Sequence, residues 1–455
     1  GEHLLPAQQT NLQQVKGQNL PAAELDRLFK LPVNVQSGLL DADLQVKYNP
    51  TQPISAFGTA RLQGVTASLP QLPTPFFNTT GTVLFQDQVV KLQNVTTSLG
   101  QIPLILGGGL HLEKGYDVTA KVPTTEVAKV AQSLKFKPPV VLNGAVQADL
   151  RVTGAIAQPL LIGQFATTRP TQVDRVNFST ISGRFALATN AGELVVANLV
   201  AKPVVGGEIT GKGEVKLGTQ GGLVFDLLAQ NVPGDAIAQI YGANLSPSIK
   251  IGPVQARAQV FGPFNDLRTV ARWRSPQATY AGTGEVVIAR GQTVLRDTTF
   301  RVGGGTVQTA ARIANGNWEA VVEGSQVPIS SLLALQATGT QEGQQQLPPA
   351  IQQGIFTGRA RLAGTTASFQ PRDIRPIAQG RIQVAGGTLQ IQQAQLNQGN
   401  WEAVVAASGV QLARLLPPEQ LENLPVQPGA FTGRARLAGN IDSFQAKDIR
   451  AIAQG

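Results

Sequence analysis

Few side chains in this sequence are suited to bond-breaking chemistry, and their spacing argues against it. The 455 residues contain two histidines, His3 and His111, and no cysteine. His111 alternates with Leu110 and Leu112, which puts it on the wet face of a strand. Two histidines so far apart, without a thiolate, build no recognisable zinc site. Asp41 and Asp43 form a carboxylate pair on one strand face, a spacing that acid/base catalysis or calcium binding would use. A solvated face is the simpler reading, because no Gly-anchored loop follows to make an EF-hand. A Gly-x-Ser-x-Gly elbow and a P-loop are both absent, and the glycine triplets at 107–109 and 303–305 lack the following Lys-Ser or Lys-Thr. The expectation is a protein that is not an enzyme, with no catalytic residue, no metal site and no cofactor.

Composition points to a long β structure. Hydrophobic content of 42% excludes a disordered chain, and with 49 glycines, 29 prolines and a β-branched apolar set it favours many short strands with tight turns. The net charge of +9 invites a nucleic-acid reading. However, Arg359 and Arg361 alternate with Ala360 and Leu362 on what reads as a wet strand face, and aromatics make up only 5% of residues. The stacking platform of a single-strand binder is missing, so no nucleic-acid partner is expected. No stretch approaches the roughly 20 apolar residues that span a bilayer. There is no methionine, and the sequence stops at Gly455, where its other copy continues into Arg381; both ends read as cut from a longer polypeptide.

The elements that would position any site are repeated. Gly354–Gly380 returns as Gly429–Gly455 with 20 of 27 positions identical, and Gly-Asn-Trp-Glu-Ala-Val-Val occurs at Gly316–Val322 and again at Gly399–Val405. The unequal offsets, 75 and 83, read as loop insertions between fixed strands. Five segments carry the i, i+3, i+4 apolar triplet of a short amphipathic helix: Leu25/Leu28/Phe29, Val127/Val130/Ala131, Ile237/Ile240/Tyr241, Ile329/Leu332/Leu333 and Leu412/Leu415/Leu416. A proline follows each (Pro32, Pro138, Pro247, Pro348, Pro417) and is expected to stop the helix. A glycine then opens a run of strands: Gly38, Gly144, Gly252, Gly354 and Gly429. The boundaries read as repeat units 1–123, 124–233, 234–327, 328–409 and a truncated 410–455.

Strands such as Leu40–Lys47, Val146–Val152 and Phe356–Leu362 alternate strictly, which gives one dry and one wet face. Leu194–Val200 and Leu223–Leu228 are apolar on both sides and are expected to be covered by the short helices. The glycine runs 107–109, 206–207 and 303–305 read as turns between strands. A dry face repeated without polar linkers suits one curled sheet better than a string of sandwiches. The fold class expected is mainly β: an elongated, curled antiparallel sheet, a U-shaped trough, continuous from repeat to repeat. At about 13 residues per strand and turn, the sequence would supply roughly 30 to 35 strands spaced about 4.8 Å apart. Its lining would comprise Leu40, Ala42, Leu44, Val46, Ala148, Leu150, Val152, Val215, Leu217, Phe225, Leu227, Trp318, Ala320, Val322, Phe356, Ala360, Leu362, Trp401, Ala403, Val405, Phe431, Ala435 and Leu437. Any one of these strands would also suit a sandwich core; five units without linkers favour the groove. Trp318 and Trp401 fit either a core position or a groove lip.

The Gly-x-Phe-x-Gly-x-x-x-Leu-x-Gly signature at Gly354–Gly364 and Gly429–Gly439, the Gly-x-Trp-x-Ala-x-Val strand around Trp318 and Trp401, and the short helix after it together resemble the C-terminal half of the TamB family. These are AsmA-like bridge proteins of the bacterial envelope, with a plant relative in the chloroplast inner envelope. The Gln-rich, Cys-free flavour is most similar to cyanobacterial members. The resemblance implies a β-taco whose apolar groove carries phospholipid or other acyl lipids between inner and outer membranes, or supports assembly of outer-membrane proteins. It further implies a TamA-like outer-membrane β-barrel partner, an inner-membrane anchor outside this segment, and a periplasmic location, or the intermembrane space in a plastid. A repetitive β adhesin or secretion scaffold, binding proteins or glycans through outer loops, is the alternative.

Overall fold

The computed structural model describes residues 11–29, 31–336, 349–415, 422, 429–442, 448 and 450–452. His3, Leu416, Pro348 and Pro417 lie outside them. The described residues form 27 strands in an open antiparallel sheet. That is fewer than the roughly 30 to 35 anticipated from average strand spacing, because strands such as Asn34–Asn49 and Gln52–Ser68 run to 16 and 17 residues. The chain divides into two compact units. The first comprises Gly1–Val204, Glu208–Leu227 and Phe261–Asn265; the second comprises Val205–Gly207, Leu228–Val260 and Asp266–Gly455.

The apolar triplets locate the helices. The first unit holds α1 (Ala23–Phe29) and α2 (Val127–Ser133); the second holds α3 (Gly234–Ile240), a 3-10 helix (Ile329–Gln336), α4 (Pro349–Gln352) and α5 (Leu412–Leu415). Among the described residues, only α4 and a single 3-10 turn at Pro371–Asp373 lack a triplet. The helices interrupt strand pairs that then continue: α1 lies between Asn11–Pro21 and its partner Asn34–Asn49, and α2 between Gly115–Glu126 and its partner Ala145–Gly154. The strand-opening glycines hold them in place. Backbone N–H groups at the head of four helix segments donate to these carbonyls: Ala22 to Gly38, Val127 to Gly144, Gly234 to Gly252 and Ile329 to Gly354, all at 2.9–3.0 Å.

Proline is not what stops α2 and α3. Lys135 and Gly242, both at positive φ, close them, with Phe136 donating to Ala131 and Ala243 to Ala238. Each helix ends several residues before its proline.

Repeat length also varies for a reason other than loops. Gly252 to Gly354 spans 102 residues and, among the described residues, holds six strands, whereas Gly354 to Gly429 spans 75 and holds four. A hairpin's worth of strand has been gained or lost, which leaves the antiparallel alternation intact.

A line of β-bulges curls the sheet. Register shifts occur at Asn19, Gly64, Asn78 and Asn94 in the first unit, and at Asn198 in the same unit. In the second unit they occur at Asp297, Gln326 and Gly409. All eight residues have φ between 49° and 63°. Asn, Asp and Gly tolerate this left-handed conformation best, and each extra residue bends its strand. The residue that follows a bulge is often deeply buried, as with Val95, Val327 and Val410.

Two turn and coverage expectations need correction. Gly107–Gly109 is not a turn: it lies inside strand Ile102–His111, where a Cβ on Gly108 would meet the Asp117 carbonyl and one on Gly109 the Val90 carbonyl. Gly206–Gly207 and Gly303–Gly304 do sit between strands. The outward residues of the doubly apolar strands are not covered by helices, since Val195 and Val224 are 43% and 46% exposed.

Candidate lipid groove

Register turns the alternation of single strands into rows that run along the sheet. In the first unit one row reads Val95, Leu106, Ala120, Leu150, Gly163, Phe185, Val196 and Gly213, each directly opposite the next on eight successive strands. In the second unit one row reads Ala271, Val286, Leu295, Ala311, Ala320 and Leu362. A parallel row there reads Val322, Ala360, Ala378, Ala394, Ala403 and Leu437. No charged or hydrogen-bonding side chain enters these rows. The opposite face carries the ion pairs: Arg359–Glu323 at 3.6 Å, Arg436–Glu402 at 3.0 Å, and Glu285 between Arg272 and Arg296. Hydrogen bonds from Arg296 and then Arg272 hold the Glu285 carboxyl below its ordinary pKa.

The candidate lining residues differ in how much surface they offer. Leu40, Ala42, Leu44 and Val46 are fully buried, with Leu44 at 0% exposure, in a cluster with Phe85, Val90 and the α1 residues Leu25 and Phe29. The rings of Phe29 and Phe85 stack at 5.2 Å. Trp318 and Ala320 are also buried. Ala148, Leu150, Val152, Val215, Leu217, Phe225 and Leu227 are half-buried in the first unit. So are Val322, Phe356, Ala360, Leu362, Trp401, Ala403, Val405, Ala435 and Leu437 in the second, while Phe431 is exposed.

The repeated signature can be decoded position by position. Gly354 receives the helix N–H. The Phe356 ring lies over Gly358 and Gly380, where a Cβ would come within 2.7 and 2.9 Å of it. The Thr357 hydroxyl accepts from the N–H of the bulge residue Gln326, and Thr432 does the same for Gly409, both at 3.1 Å. Arg359 and Arg361 face outward; Ala360 and Leu362 face inward. Gly364 lies directly opposite Trp318 and beneath its indole, as Gly439 lies beneath Trp401. Trp318 donates from Nε1 to the Thr365 carbonyl at 3.1 Å and stacks on Phe369. An aromatic ring laid across a glycine on the next strand gives a smooth apolar surface without a protruding side chain.

The residues considered for chemistry have structural partners. Asp41 accepts from the Asn19 N–H and the Gln63 amide, both at 2.9 Å, and Asp43 lies 4.0 Å from Lys16. His111 accepts through Nδ1 from the N–H groups of Glu113 and Lys114, which fixes a turn. Among the described residues no group of three or more metal-ligating side chains converges.

Comparison with known proteins gives one informative match. The chain is 22% identical over 307 residues to Protein TIC236, chloroplastic, of Arabidopsis thaliana, which covers 59% of this chain and 14% of that protein. The chain therefore spans about a seventh of the curated relative it matches. That protein is a chloroplast relative of the TamB and AsmA-like type, so the match supports the resemblance drawn from the strand motifs. No family model and no solved structure matches.

Sequence patterning missed the aromatic–glycine pairs, because Trp318 and Gly364 are 46 residues apart and meet only through register. The bulges left a readable trace: Asn, Gln or Gly followed by Val or Leu within a strand, as in Asn19-Leu20, Asn94-Val95, Gln326-Val327 and Gly409-Val410.

Proposed function

We propose that this chain is a non-enzymatic bridge segment of an envelope, whose apolar inner face holds lipid acyl chains on their way between two membranes. The observation that carries the reading is the apolar register on strand after strand, half-buried at positions such as Leu150, Phe185, Ala360, Leu362, Ala378 and Ala394, although Val95, Ala120, Val196 and Ala320 in the same rows are buried. Each methylene withdrawn from water onto such a face gains about 0.8 kcal/mol, so a sixteen-carbon tail gains on the order of 12 kcal/mol before losses. Uniform rows make neighbouring positions nearly equal in energy, so a tail can slide. Likeness to a chloroplast protein supports an envelope location with translocation-related partners. In a bacterial parent the corresponding site is the periplasm, with an inner-membrane anchor outside this segment and a TamA-like barrel as partner.

Native mass spectrometry of the purified chain should find phospholipid retained, and the delipidated protein should take up a fluorescent fatty acid. Leu150→Asp and Leu362→Asp should remain folded and lose that uptake. A protein that takes up no fatty acid, or that unfolds with either substitution, would instead fit a closed scaffold of the adhesin type.

A further inference from the structure

The helix-bearing edge of the sheet is not uniform from repeat to repeat. In the second repeat, within the first compact unit, four neighbouring segments come together there. Leu142–Asn143 pairs with Thr171–Val173, which pairs with the start of Val176–Ala188, whose Phe178 is opposite Pro203. Backbone bonds extend the ladder outward, from Asp174 to Val141 at 2.8 Å and from Val204 to Asn177 at 2.9 Å. At adjacent-strand spacing these segments span about 15 Å.

Two aliphatic residues stand out from this edge: Val141 and Val204, 61% and 59% exposed. Around them, Lys135, Lys137, Arg169 and Lys202 are exposed, and none is in an ion pair among the described residues. The strand connection of the first repeat from Ser68 to Phe76, the counterpart of the one holding Arg169, has no charged residue. Neither the groove nor the sheet's packing uses these six side chains.

Aliphatic tips ringed by unpaired cations match the chemistry of an anionic bilayer surface, with hydrocarbon just beneath a layer of phosphates. A protein partner would favour aromatic anchors at the centre of the patch, and Val141 and Val204 are aliphatic. We propose that this edge of the second repeat docks on an anionic membrane, with Val141 and Val204 entering the interface and the four cations meeting lipid phosphates. The contact would place the groove's edge at a lipid source, but its residues are separate from the groove lining.

Vesicle flotation of the full chain tests this. The probes are phosphatidylcholine vesicles and vesicles of phosphatidylcholine with phosphatidylglycerol in a two-to-one mixture. The chain should bind the anionic vesicles at least tenfold more tightly than the neutral ones. Binding should weaken as salt rises from about 0.05 to about 0.5 M and the screening length shrinks. Lys135→Glu, Lys137→Glu, Arg169→Glu and Lys202→Glu together should abolish the preference, and Val141→Ser with Val204→Ser should weaken binding several-fold without a change of charge. Reversal of Arg257, Arg312, Arg375 and Arg381 to Glu on the second unit should leave most of the binding. Leu150→Asp should leave all of it, which separates this test from that of the groove. Circular dichroism of each variant checks folding. Equal loss in both charge-reversed sets would overturn the proposal in favour of overall charge, and no binding to anionic vesicles would overturn it in favour of an acidic protein partner.

Discussion

The first and fourth repeats share one grammar and reach opposite ends. In strands Asn34–Asn49 and Gln52–Ser68 the inner face is Leu, Val and Ala, joined by Phe85 from the next strand and by Leu25 and Phe29 from α1, and it is sealed. In strands Ile355–Thr365 through Asn400–Gln411 the central row is Ala360, Ala378, Ala394 and Ala403, and it stays half-open. Both faces are apolar, so hydrophobicity alone does not decide whether a curled sheet fills itself. Side-chain volume does. Leucines and phenylalanines fill the inner face of the first repeat, whereas the smaller alanines of the fourth stay half-buried.

The contrast is open to direct attack. The largest effect is expected at Leu44→Asp, which buries an unpaired charge in the sealed repeat and should cost on the order of 5 kcal/mol in a thermal melt. Leu362→Asp, on the half-open face, should cost less than about 2 kcal/mol because its carboxylate reaches water. Equal costs would erase the distinction between the repeats. Next, Gly364→Val should destabilise by about 1–3 kcal/mol through collision with the Trp318 ring. Adding Trp318→Ala should relieve much of that penalty, and a double-mutant cycle with no coupling would contradict the stacked pair. Filling the groove with Ala360→Leu, Ala378→Leu and Ala394→Leu should change stability by less than about 1 kcal/mol per site and reduce fatty-acid uptake several-fold. Undiminished uptake would place the guest elsewhere.

The smallest effect concerns the outer face. Arg296 and Arg272 lower the Glu285 pKa in the folded state. The stabilisation they give is therefore present above the ordinary glutamate range, about pH 4.3, and is lost as pH falls through the folded value. Melts from neutral to acidic pH should fall less steeply for Glu285→Gln than for the parent. Identical slopes would mean the triad contributes nothing.

Much of this was readable in advance because it is local. The triplets at Val127/Val130/Ala131 and Ile329/Leu332/Leu333 lie where helices form, and alternation at Leu40–Lys47 assigns the inner face residue by residue. The strand-opening glycines were visible as spacing, but their role as acceptors for helix N–H groups was not. What stayed hidden depends on pairing between distant segments. Gly107–Gly109 looks like a turn until neighbouring strands are seen to cross it. The missing hairpin of the fourth repeat looked like a loop difference, since length alone does not reveal direction changes. Val195 and Val224 read as covered because they are apolar, yet they stay exposed.

The central claim, an inner face that holds acyl chains while its neighbours along the same strand do not, predicts a pattern with a period of two residues. Photo-crosslinking side chains placed one at a time from Arg359 to Ala363, in cells supplied with labelled lipid, read that pattern directly. Labelling should be strong at Ala360 and Leu362 and weak at Arg359, Arg361 and Ala363. Uniform labelling along the strand, or labelling at the outward positions, would contradict the account.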